Sequence, residues 1–159
     1  MEKTRKLGQT EIEITAIGYG CMGQTHAYGV VEAEEDMVAL MRYAHEVGYT
    51  FFDTAPVYGE ANERYLGKAA APFRKEVVIA TKFGIVDESF FTGNEDALNS
   101  SRDSIRQQVD ASLIRLGTDY IDLYYQHRID PKTEPEEVAE TMAELIRAGK
   151  IRAWGVSFA

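Results

Sequence analysis

At 159 residues the chain is long enough for one domain with a sizeable hydrophobic core, and its 45% apolar and 27% charged residues exclude a disordered chain. A formal net charge of −9 argues against a nucleic-acid partner held through phosphates, while leaving room for a local basic pocket that takes an anionic cofactor. No apolar run is long enough to span a bilayer, Met1 to Lys6 leads into no signal-peptide core, and the single Cys21 cannot form an internal disulfide, so a cytoplasmic protein with no membrane segment is expected.

In chain order, Lys6 to Ile14 predicts a small hairpin turning near Gly8 and Gln9, and Thr15 to Gly20 a first buried strand. From Glu34 to Val47 the apolar residues Met37, Leu40, Met41, Ala44 and Val47 recur at helical spacing, with Gly48 suited to the C′ position. Glu32, Glu34, Glu35 and Asp36 read as a helix start favoured by the macrodipole. Thr50 to Phe52 is a second strand, followed by a short helix from about Ala61 to Ala70 that Pro72 ends. Val77 to Ala80 has the unbroken apolar character of a strand covered on both faces. A third helix over Ser101 to Leu116 aligns Ile105, Val109, Leu113 and Leu116, and Ile121 to Tyr125 is a fourth strand. Thr133 and Glu136 have capping-box spacing around Pro135, opening a helix with Val138, Met142, Leu145 and Ile146 that stops at Gly149. Ile151 to Val156 is the fifth strand.

Strand–helix alternation of this kind predicts an α/β fold with a parallel sheet. The helix-to-strand links are short, whereas Cys21 to Ala33 and Phe83 to Ser100 are long strand-to-helix loops. Long loops on one face only place a site at the carboxyl ends of the strands. Asp53, Lys82 and His127 each follow a strand there, and Tyr58 lies in the loop after Asp53. Each has an ordinary alternative: a capping Asp, a solvated Lys, a satisfied core Tyr or His. Their meeting on one rim is what favours chemistry.

The segment Phe51-Phe52-Asp53-Thr54-Ala55-Pro56-Val57-Tyr58-Gly59 with Asn62-Glu63 resembles the second-strand signature of the aldo-keto reductases. Val78 to Gly84 resembles that family's lysine strand, Leu116 to Arg128 its histidine strand, and Gly149 to Ser157 its fifth strand. Lys6-Leu7-Gly8 and Gly18 to Gly23 fit the hairpin and first strand, so the matches run in family order over nearly the whole chain.

The resemblance implies an NADPH-dependent reductase of aldehydes or ketones, acting on a small-molecule carbonyl substrate. Tyr58 would be the general acid; a free phenol, with a pKa near ~10, is a reluctant donor at neutral pH. Lys82 beside it would stabilise the phenolate, Asp53 would pair with Lys82, and His127 would orient the carbonyl oxygen. Gly20, Cys21, Met22, Asp53 and Ser157 would line the nicotinamide, and Tyr28 and the loop after Lys82 would shape the substrate pocket. No metal is required, because the cofactor supplies the reductant.

Other features carry plainer readings. Gly18-Tyr19-Gly20-Cys21-Met22-Gly23 is a G-x-G-x-x-G string, but a Rossmann fingerprint opens directly into a helix, and no helical pattern begins here before Glu34. His26 and His45 look incidental, Cys21 reads as a packed thiol, and Asp122 as a structural hydrogen-bonding group.

The family's barrel has eight strand–helix units. This chain supplies a leading hairpin, four βα units and a fifth strand, so the expected fold is a partial TIM (β/α)8 barrel, one truncated domain over 1–159. The later loops that clamp the adenosine in the family are absent, so NADPH is the family default and NADH stays open. Phe158 stands where relatives carry a polar residue, which weakens the expected carboxamide contact. Uncovered first and fifth strands invite self-association. Truncation is the first expectation, with completion by another copy or a second chain as alternatives. A non-catalytic module that senses cofactor or binds a partner is the competing function.

Overall fold

The computed structural model describes residues 3–25 and 33–158. Strands β1 (Thr4–Lys6) and β2 (Glu13–Thr15) form an antiparallel hairpin. The main sheet runs in the order β3 (Tyr19–Gly20), β4 (Phe51–Asp53), β5 (Val78–Phe83), β6 (Ile121–Gln126), β7 (Ile151–Val156), every pairing parallel. Helices α1 (Glu34–Glu46), α2 (Glu60–Ala70), α3 (Arg102–Leu116) and α4 (Pro135–Arg147) alternate with the strands. This is the expected partial barrel. No helix among the described residues is long and apolar enough to cross a membrane.

Side chains alternate across a strand, and that period sorts the sheet into two faces. Phe52, Ile79, Phe83 and Tyr124 join Met41, Leu66, Ile105, Val109, Met142 and Leu145 in the core beneath the helices. Burying such a side chain fully contributes about 1.5–3 kcal/mol each. On the opposite face, Val78, Ala80, Leu123 and Ala153 pack with Ile12, Leu7 and Ile14 of the hairpin. The hairpin therefore closes one end of the inner face, and the carboxyl ends of the strands leave the other end for a site.

Several sequence expectations are corrected. The first strand is shorter than Thr15–Gly20: Thr15 completes the hairpin opposite Thr4, and only Tyr19 and Gly20 pair with β4. The third strand extends beyond Ala80 to Phe83, because Thr81 and Lys82 are buried by hydrogen bonds that periodicity cannot see. No capping box forms; Glu134 is the N-cap of α4, and Thr133 donates its hydroxyl to Asp130 instead. Leu40 on α1 and Val47, which caps its end, are exposed, and Val38 is buried in their place. Of the acidic helix start, Glu34, Glu35 and Asp36 occupy the first turn of α1 as expected; Glu32, together with His26 and Tyr28, lies outside the described residues.

The charged groups buried in and behind the sheet are paired. Asp122, within β6, accepts from Arg74 at 2.8 Å, from Arg152 at 2.6 Å and from the Ile79 amide at 3.0 Å. Its role is structural, as the sequence suggests. Behind β5, the fully buried Glu63 of α2 accepts from Thr81 at 2.7 Å and from Arg115 of α3 at 2.5 Å, tying two helices to the strand that carries Lys82.

Candidate active site

The period-two rule that puts Val78 and Ala80 on the inner face puts Lys82 there too. In β4, Phe52 points to the helices, so its neighbour Asp53 points inward at the strand's end. In β6, Leu123 and Tyr125 face inward, and His127 continues the same alternation one residue past the strand. Asp53 and Lys82 are thus the last inward positions of their strands rather than residues after them.

Tyr58 arrives differently. Ala55 is extended, Pro56 opens a single 3₁₀ turn, and Tyr58 closes it with its amide on the Ala55 carbonyl. Gly59 follows at φ 96°, a conformation that L residues rarely adopt, and lets α2 begin at the next residue. The loop is folded tightly back over the sheet, and Tyr58 is buried with Ala55, Val57, Ile85 and Leu98.

The four side chains meet. The Lys82 ammonium donates to the Asp53 carboxylate at 2.5 Å, to the Thr54 carbonyl at 2.9 Å and to the Tyr58 hydroxyl at 3.2 Å. An ammonium has three donors, and here every one has an acceptor. The His127 ring stands edge-on to the Tyr58 ring with centroids 6.0 Å apart. His127 itself is held by its amide on the Phe83 carbonyl, and its own carbonyl accepts from the Ser157 hydroxyl at 2.8 Å. Burial lowers the His127 pKa to about 3, and the neighbouring cations Lys82 and Arg128 act in the same direction. Its imidazole is therefore neutral at physiological pH.

A nicotinamide ring needs open surface beside these groups. A Cβ added at Gly20 would meet nothing within 4 Å, so the end of β3 is free space. Met22 is partly exposed, and Asp53 retains a third of its side-chain exposure although it pairs with Lys82. These residues fit such a group. Cys21 does not present its side chain: the thiol is fully buried, burial pushes its pKa up, its amide donates to the Asp53 carbonyl, and its carbonyl accepts from Asn62. It supports the strand end from behind. Phe158 is largely exposed, with the Arg128 guanidinium 4.5 Å from its ring centre. His45 stacks on Phe73 away from the site, at 3.8 Å between centroids.

Sequence reasoning passed over the residues that hold this arrangement. Thr54 supplies the second acceptor for Lys82, and its hydroxyl donates to Asn62 at 2.6 Å. Asn62 and Thr25 form the rest of that link. Thr54 and Asn62 stand in the segment that resembles the family's second-strand signature, but nothing local gave them or Thr25 a role.

A sequence model of the aldo/keto reductase family matches residues 16–159. The chain is similar to probable aldo-keto reductase 1 of Glycine max, 41% identical over 154 residues covering 96% of this chain and 44% of that protein. It is 38% identical to aldo-keto reductase str7 of Strobilurus tenacellus over 160 residues, 97% of this chain and 45% of that one. Among solved structures, an aldo-keto reductase of Bacillus halodurans in its holo form matches with a TM-score of 0.86 at 33% identity, over 99% of this chain and 51% of that one. The chain spans about half the length of the relatives it matches.

Proposed function

The chain belongs to the aldo/keto reductase family, and from that membership we propose that its site serves the NADPH-dependent reduction of an aldehyde or ketone to an alcohol. The observation that carries the proposal is one ammonium bridging a carboxylate and a phenol beside a neutral imidazole. The nicotinamide, when bound, supplies hydride to the carbonyl carbon. Gly20, Met22, Asp53 and Ser157 would hold it, with Cys21 packed behind them.

The chain's own residues handle the oxygen. Tyr58 gives its hydroxyl proton to the carbonyl oxygen as negative charge develops there. Lys82, 3.2 Å from that hydroxyl, stabilises the phenolate left behind. Asp53 and the Thr54 carbonyl fix the ammonium and offset the cost of its burial. His127, neutral, positions the carbonyl oxygen by hydrogen bonding and does not act as an imidazolium acid. Met22 and Phe90, the partly exposed members of the apolar cluster around Tyr58, suit a carbonyl compound with an apolar body.

Titration of NADPH followed by its fluorescence, then addition of a simple aromatic aldehyde, tests this reading; parallel titration with NADH decides the cofactor. Tyr58→Phe is expected to lower turnover by about 10²–10⁴-fold, the usual contribution of a positioned acid, with cofactor binding kept. Because the chain spans half of its relatives, turnover is measured both alone and with the remaining strand–helix units supplied as a second polypeptide. Cofactor binding without turnover in either case would favour a cofactor-sensing module instead.

A further inference from the structure

Asn62 is buried completely, on the first turns of α2, and takes no part in the steps above. Its amide nitrogen donates to the Cys21 carbonyl at 2.8 Å and to the Thr25 hydroxyl at 2.5 Å, and its oxygen accepts from the Thr54 hydroxyl at 2.6 Å. Thr25 in turn donates to the Tyr58 carbonyl at 2.6 Å. One side chain therefore joins three loops that the sequence keeps apart: the segment after β3, the end of β4, and the turn that carries Tyr58. Each of those loops ends on a group the proposed chemistry uses. Cys21 backs the nicotinamide side, the Thr54 carbonyl holds the Lys82 ammonium, and Tyr58 is the acid.

We infer that Asn62, acting through Thr25, is a positioning residue that sets the Tyr58 hydroxyl against the Lys82 ammonium. The reasoning is geometric. The Tyr58 turn is a single 3₁₀ turn next to a glycine, and at its carbonyl end it is held by the Thr25 hydroxyl. The Tyr58 carbonyl leads into that glycine, and a donor held by a buried amide pins it there. An unmade hydrogen bond at a buried site is costly, so the loop is held while the amide is present. Catalytic geometry tolerates errors of only about 0.5 Å. A loop released at this anchor keeps the fold and loses the alignment.

The inference rests on the reductase reading, and the experiment separates the two. The chain is labelled with 3-fluorotyrosine, and the Tyr58 fluorine signal is identified by its absence in Tyr58→Phe. Thr25→Val removes only the link to the Tyr58 carbonyl, Asn62→Leu removes the whole junction, and Thr25→Ser keeps the hydroxyl. Positioning predicts that Thr25→Val shifts the Tyr58 signal and the pH at which it titrates, that Thr25→Ser restores both, and that the melting transition of Thr25→Val stays cooperative. If the chain turns over an aromatic aldehyde, Thr25→Val should lower kcat about tenfold, the loss expected when alignment is worth about 1.4 kcal/mol, with KM for cofactor unchanged. If it does not, either alone or with the remaining strand–helix units supplied, the reductase reading fails and the fluorine readout still decides the inference. A Tyr58 signal and titration identical in wild type, Thr25→Val and Asn62→Leu would overturn it.

Discussion

The imidazole of His127 is where pH should act most directly on this fold. Its pKa in the folded chain is about 3, against about 6.5 for a free imidazole. Above pH ~6.5 both folded and unfolded chains leave it neutral, and it makes no difference to stability. Between about 6.5 and about 3 the unfolded chain takes up a proton that the folded chain refuses, so stability falls as pH falls. Below about 3 the loss is complete. Urea titrations across that window should therefore give His127→Gln a shallower fall than wild type, by at most about 1.4 kcal/mol per pH unit for one proton. Identical pH slopes would mean that the ring is not held neutral by burial. Residues of this kind were legible as candidates in the sequence; that this histidine is neutral was not, since it depends first on burial of the ring and then on Lys82 and Arg128 lying beside it.

Between elements, α2 is the piece that the rest of the site leans on. It carries Asn62 and Glu63, one facing the loops and the other tied to Thr81 of β5 and Arg115 of α3. It can do so because it approaches α3 closely at Gly67. A Cβ there would lie 2.2 Å from the Leu116 carbonyl oxygen and 2.6 Å from its carbon, both backbone atoms that cannot swing aside. Gly67→Ala usually helps a helix, by about 0.8–1.0 kcal/mol of propensity. Here the clash should win and cost about 1–3 kcal/mol net, read as a lower urea midpoint with an unchanged slope. A neutral or stabilised variant would show that α2 and α3 can separate freely. The helix itself was legible as a short helix from about Ala61 to Ala70 that Pro72 ends. The close contact was not, because Gly67 looks like any helical glycine until Leu116 is brought against it.

Across the whole molecule, β3 and β7 are the two edges of the five-stranded sheet, and apolar side chains are exposed near both. Ile17 precedes β3, Leu40 and Tyr43 lie exposed on α1 and Val47 just after it; Val156 and Phe158 lie at the end of β7, and Ile146 on α4. Unpaired strand edges and exposed apolar groups favour association, while a net charge of −9 opposes it. We expect sedimentation of the chain alone to show mass increasing with concentration, and added salt, by screening the charge, to strengthen that trend. A monomer at every concentration and salt level would argue against edge pairing. By itself the sequence determined the strand–helix alternation, because periods of two and of about 3.6 are written locally, and its motifs carried the resemblance to the family. Only the tertiary structure decided that Lys82 reaches an aspartate 29 residues earlier and a tyrosine 24 residues earlier, and that one buried asparagine ties their loops together. Such contacts are set by parallel register between strands and by the packing of α2 beneath them, which no local pattern records.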